Sequence, residues 1–236
     1  RFRPEDHPRL NGHIRSVGYI ARHTDLLPIG MSIGPFSLMT KLLADPITPI
    51  YLSGTGATHD EEPEIRTLER ALEMSLSLVL QSLAAQIEQG AKAVFIAEPA
   101  ANHVFISPKQ MEAGSDSFDR YVMAPNQQVK TLLDAHGVDL LFHCCGELTD
   151  SMVGKFCELR PVVLSLGSSR RLWEDAAIVP KDIVLYGNLP SKRFYSDDLM
   201  PLSEVRSEAR ELLARMREAG HPFILGSECD ILSVPG

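Results

Sequence analysis

The hydrophobic pattern of the chain switches repeatedly between two periods. Ile65, Leu68, Leu72, Leu76, Val79, Leu80, Leu83 and Ile87 recur at helical spacing, and Gly90 stands where such a helix would stop. The unbroken apolar run Ala93-Val94-Phe95-Ile96-Ala97 follows at once and reads as a buried strand, closed by Glu98-Pro99. The same order recurs downstream. A helix over 126–136 stops at Gly137 and a strand over 138–142 follows; a helix over 203–219 stops at Gly220 and a strand over 222–225 follows. Between them the pattern predicts a helix over 148–159, a strand over 162–166, a short helix over 171–177 and a strand over 183–186. Upstream, Leu26 to Phe36 reads as a buried strand ending in a Gly34-Pro35 turn, and the polar residues 1–26 read as a loop with a turn of helix within 12–23. Residues 48–62 read as an ordinary loop, since Gly54 and Gly56 lack the Gly-Lys-Ser/Thr ending of a phosphate loop. Residues 99–125 read as a long loop with a turn of helix near 108–113.

Strands alternating with helices predict parallel β/α units. No linker composition divides the chain, so one domain over 1–236 is expected. The six strands, near 28, 94, 139, 162, 183 and 223, are fewer than a closed (β/α)8 barrel needs. Pattern alone leaves two architectures open: an open doubly wound sheet, or a barrel lacking about two units.

Composition narrows the function classes. The chain is 44% hydrophobic and 23% charged, as globular domains are, and its net charge of −8 argues against a broad nucleic-acid surface. No run approaches the roughly 18 apolar residues of a membrane span. The four cysteines are Cys144, Cys145, Cys157 and Cys229. An adjacent pair suits a disulfide framework poorly, so we expect a reducing, cytoplasmic compartment with thiols kept for metal or packing.

The strand over 138–142 runs into His143-Cys144-Cys145-Gly146. Side chains alternate along a strand, so His143 and Cys145 share one face and Cys144 faces the core. An imidazole and a thiolate on one face make half of a tetrahedral zinc site. Cys157, beside Met152, Val153 and Phe156, reads as a packing residue. Arg170-Arg171 and Lys192-Arg193 read as a solvated basic surface, with an anionic substrate tail as the alternative.

Taken in order, Ile33-Gly34-Pro35-Phe36, Gly90 leading to a strand with an acidic end, His143-Cys144-Cys145-Gly146, Gly187-Asn188 and Phe223-Ile224-Leu225-Gly226-Ser227-Glu228-Cys229 resemble the uroporphyrinogen decarboxylase superfamily. The His-x-Cys-Gly with a later Cys resembles its zinc methyltransferase branch, which moves a methyl group from a methylcorrinoid protein to a thiol such as coenzyme M. The resemblance runs from about residue 14 onward. It implies an α/β fold, a (β/α)8 TIM barrel of uroporphyrinogen decarboxylase type with roughly the first two β/α units absent from this chain. It implies His143, Cys145 and Cys229 as zinc ligands. In such barrels reactive groups collect at the C-terminal ends of strands. Glu98 therefore becomes the expected fourth ligand and a catalytic carboxylate, with Glu228, Asp230 and water as rivals. Asn188 is a second catalytic candidate, and Asn102 and His103 are candidates for substrate contact. The implied partners are a corrinoid-binding protein and a small thiol, with no nucleic acid and no membrane.

Two departures stand out. Cys229 has the acidic flanks Glu228 and Asp230, and Gly187-Asn188 is followed by Leu189-Pro190-Ser191 in place of Asp-Pro. Two other functions remain in view. Decarboxylation of a porphyrinogen needs no metal and leaves the His-x-Cys pair without a role; a non-catalytic corrinoid- or metal-binding barrel would bind metal without methylating a thiol.

Overall fold

The structure, a computed structural model, describes residues 2–231. In chain order the elements are α1 (Pro8–His23), β1 (Ile29–Ile33), α2 (Pro35–Met39), α3 (Ile47–Gly54), α4 (Pro63–Glu88), β2 (Ala93–Ala97), α5 (Pro108–Glu112), α6 (Ala124–Ala135), β3 (Asp139–Cys144), α7 (Asp150–Glu158), β4 (Val163–Leu166), α8 (Leu172–Asp175), β5 (Val184–Leu189), α9 (Leu202–Ala219) and β6 (Phe223–Ser227). The strands form one six-stranded sheet in the order β1-β2-β3-β4-β5-β6. The pairs β1–β2, β4–β5 and β5–β6 are parallel, with Gly30 opposite Val94, Ser165 opposite Tyr186 and Asn188 opposite Gly226. A doubly wound sheet reverses its strand order at a switch point; this one never does, which answers the question the sequence pattern left open in favour of barrel-type winding. The chain divides into two compact units at Phe142 and His143.

In the first unit the repeating pattern is realised closely. α4 ends one residue earlier than expected, and the glycines after α4 and α6 take positive φ, at 103° and 62° for Gly90 and Gly137, as Gly220 after α9 does in the second unit, at 60°. The buried line of α4 runs through Ile65, Leu68, Ala71, Ser75, Val79, Ser82, Leu83 and Gln86. Small residues in that line let α4 lie close to α2 and β1.

Three local expectations fail, each for a physical reason. The N-terminal turn of helix is a full helix, α1, opened by Pro8 at its first position and burying Ile14 and Val17. The stretch read as a loop contains α3, because Asp45 Oδ1 accepts the backbone N–H groups of Ile47 and Thr48 at 3.0 and 3.1 Å. Pro49 falls in its first turn, where no N–H is needed. The stretch read as a buried strand, β1, is the outermost strand among the described residues, where Ile29 and Met31 are exposed by 40% and 49%. The Gln86 side chain bonds the strand's backbone: Gln86 Oε1 accepts Met31 N–H at 2.8 Å and Gln86 Nε2 donates to Met31 C=O at 3.1 Å.

Within the loop expected over 99–125, residues Asp119–Met123 form a π-helical turn that feeds α6, with Ala124 N–H bonded to Asp119 C=O. Pro125 explains the wider turn, since it lacks the N–H that Tyr121 C=O would accept in an α-helix.

In the second unit α7 starts with the Thr149 side chain accepting Met152 N–H, and its face of Met152, Val153 and Phe156 is buried. β4 buries Leu164 and Leu166 completely. β5 is longer than the apolar pattern suggested and carries Gly187, Asn188 and Leu189 inside the ladder. β6 likewise extends through Gly226 and Ser227. These extensions bring the polar ends of two strands into regular hydrogen-bonded positions, next to the candidate ligands.

Candidate metal centre

His143 is the penultimate residue of β3, Cys145 lies one residue past its end, and Cys229 two residues past β6. The structure brings these three together: one ligand atom from each lies within 4.8 Å of the other two. Strand alternation does what the pattern required. Cys144 is fully buried, while Cys145 is half-exposed and faces the group.

The electrostatics suit a metal. Burial of His143 lowers its pKa from 6.5 to about 4; Lys192 pushes the same way, and Asp230 and Glu228 oppose. The ring is therefore neutral at pH 7 and keeps a lone pair for coordination. Its Nδ1 lies 2.9 Å from Ser165 Oγ, within hydrogen-bond distance. Burial pushes the Cys145 thiol up to about 11, and the neighbouring Cys229 thiol, hydrogen-bonded to it, adds to the shift. Two thiols at this separation resist ionising together, and a dication reverses that balance by holding both as thiolates. One imidazole and two sulfurs are a borderline-soft donor set that fits zinc with a fourth position left for exchange.

The loop that carries Cys229 is tied down on several sides. Cys229 C=O accepts the hydroxyls of Ser191 and Ser227 at 3.0 and 2.9 Å. Glu228, 3% exposed, accepts Ser168 N–H and Oγ–H at 2.9 and 2.7 Å. Lys192 Nζ lies 3.9 Å from the same carboxylate. Asn188 donates both amide protons to backbone carbonyls, Gly167 and Arg170, each at 2.8 Å, and so holds the loop that presents Ser168. Gly167 itself leaves no room for a side chain: a Cβ there would meet Cys145 O at 2.5 Å.

The remaining candidates belong to the first unit. Glu98, just past β2, is fully buried. Its Oε1 accepts Phe36 N–H at 3.1 Å and Asn126 Nδ2–H at 2.8 Å, and its Oε2 accepts Ser37 N–H at 2.7 Å. The carboxylate thus caps the start of α2. Burial raises its pKa, outweighing the hydrogen bonds that lower it. Gly34 makes this approach possible, because a Cβ there would lie 2.2 Å from Glu98 Cδ. Asn102 is turned into its own loop, donating to Pro99 C=O at 2.6 Å and accepting Val104 N–H at 2.7 Å. His103 is exposed on that loop.

The basic residues expected on the surface each face a carboxylate. Arg170 pairs with Asp175 and Asp150, Arg171 with Glu174, and Arg193 with Glu204 and Glu208. Cys157 donates its S–H to Val153 C=O at 3.3 Å, one turn back along α7. Sequence reasoning missed Ser165, Ser168, Ser191, Ser227 and Gly167. Ser165 lies inside the apolar run of β4, while Gly167, Ser168, Ser191 and Ser227 lie at or just past strand ends, and small polar residues at such places carry no distinctive sequence signal.

The uroporphyrinogen decarboxylase (URO-D) family profile matches residues 1–234 of the chain. No curated protein matches it. Among solved structures, a methyltransferase from Methanosarcina mazei is similar, with a TM-score of 0.70 at 18% identity over 94% of this chain. This chain spans 60% of that protein's length. No helix among the described residues is long and apolar enough to cross a membrane.

Proposed function

The chain belongs to the uroporphyrinogen decarboxylase family, and we propose that it acts there as a zinc-dependent methyltransferase that moves a methyl group from a methylcorrinoid protein to a small thiol. The observation that carries this reading is the convergence of His143, Cys145 and Cys229 within 4.8 Å. Decarboxylation has no use for two thiols and an imidazole at one point. The methyltransferase name of the Methanosarcina mazei neighbour supports the same choice.

Zinc held by these residues supplies the positive charge that keeps an incoming thiol deprotonated near neutral pH. Neutral His143 and the two cysteine sulfurs would hold the ion. The corrinoid would supply the methyl group and the thiol would give up its proton to solvent, while the chain's own share would be position and exclusion of water. Glu98, with both oxygens already accepting N–H groups, serves in this reading as the cap of α2.

Metal analysis of the purified protein, paired with thiol-dependent demethylation of methylcobalamin, tests the proposal. Zinc near one equivalent is expected, and Cys145→Ser or Cys229→Ser should lose both metal and activity while remaining folded. Activity retained in both variants would refute it.

A further inference from the structure

Ser165 sits in the middle of β4, 2% exposed, with its Oγ 2.9 Å from His143 Nδ1. A neutral imidazole carries one proton and one in-plane lone pair, and its two nitrogens are not equivalent. A hydroxyl can accept a proton from Nδ1–H or donate its own to a bare Nδ1. Only the first arrangement leaves the lone pair on Nε2.

We infer that Ser165 is a positioning residue: its hydroxyl holds the proton of His143 on Nδ1 and fixes the ring angle, so that Nε2 presents its lone pair to the metal held with Cys145 and Cys229. The inference rests on the zinc reading of that centre and deepens it. Its backbone is well placed for the task. Ser165 pairs with Tyr186 in the β4–β5 ladder, and Leu164 and Leu166 on either side of it are fully buried. The hydroxyl therefore has little freedom to drift from the ring. Residues that orient a ligating histidine in this way act on its tautomer and its basicity. A serine sets the tautomer without adding a charge. A carboxylate at the same place would make the imidazole a stronger donor and, beside two thiolates, would drain the metal of the Lewis acidity the proposed reaction needs.

The test uses the full chain with 15N-labelled histidine, metal-free and zinc-loaded, together with zinc affinity by chelator competition. In the wild-type chain the His143 proton is expected on Nδ1 in both states. Ser165→Ala should show mixed tautomers without metal and bind zinc about 10–100-fold more weakly, and Ser165→Thr should restore both. A metal-free wild-type chain with the proton on Nε2, or a Ser165→Ala variant unchanged in tautomer and affinity, would overturn the inference. If Ser165→Ala does not fold, the wild-type tautomer and the Ser165→Thr variant decide it. A wild-type chain that binds no zinc would overturn the proposed function, and the tautomer in the metal-free chain would still judge Ser165.

Discussion

Glu98 and the His143 group both stand at the C-terminal ends of strands, one in each unit, and both carry metal-type donors. They are built in opposite ways. Glu98 spends its oxygens on three N–H donors, so burial turns it into a cap for α2. Cys229 is held instead through its carbonyl, and His143 through Nδ1 against the Ser165 hydroxyl. Their donor atoms converge on Cys145 while other atoms of the same residues anchor them. A ligand-type residue at a strand end keeps its donor atom available when the scaffold grips it somewhere else, and is committed to the scaffold when the donor atom itself is gripped.

The largest effect should come from breaking the cap. Glu98→Ala leaves Phe36 N–H, Ser37 N–H and Asn126 Nδ2–H buried without their acceptor, and should cost about 3–5 kcal/mol in urea denaturation. Glu98→Gln keeps the shape and should cost less. A loss of zinc affinity in Glu98→Gln with little loss of stability would reverse the contrast and make Glu98 a ligand.

Acid should separate the two sites by the sign of their response. His143 is lowered from 6.5 to about 4 in the fold. The unfolded chain therefore takes up the proton first, and metal-free protein should lose about 3 kcal/mol as pH falls from the ordinary histidine range through the folded value. Glu98 is raised, so its contribution runs the other way: stability declines as pH rises from the ordinary carboxyl range through its folded value. Denaturation midpoints for the metal-free protein and for His143→Gln, measured across this range, should show the acid loss disappear with the imidazole.

Smaller effects sharpen the contrast. Gly34→Ala and Gly167→Ala each drive a methyl group into a close approach, against the Glu98 carboxyl and the Cys145 backbone respectively. Each should cost about 1–3 kcal/mol, but only Gly167→Ala should also weaken zinc binding. Cys157→Ser should cost under about 1 kcal/mol and leave zinc affinity unchanged; a drop in metal content there would count against the assignment of Cys229.

The order of elements was legible because it rests on local periodicity. The apolar stripe and Gly90 located α4 to within one residue, and the His143–Cys145 alternation followed from the geometry of any strand. Cys229 was legible only through its motif. α3 was not, because its start depends on an Asp45 side chain bonding two backbone groups, a signal weaker than the flanking Gly54 and Gly56.

The sequence by itself therefore determined the β/α alternation, the strand that carries His143 and Cys145, and the division of labour between Cys144 and Cys145, all consequences of spacing along a regular backbone. Only the tertiary structure decided what each polar group spends its hydrogen bonds on. Ser165 lies 22 residues from His143, Ser191 38 residues from Cys229, and Ser37 61 residues from Glu98. Contacts at such separations leave no local pattern, and they determine whether a buried donor atom is committed to the scaffold or presented for chemistry.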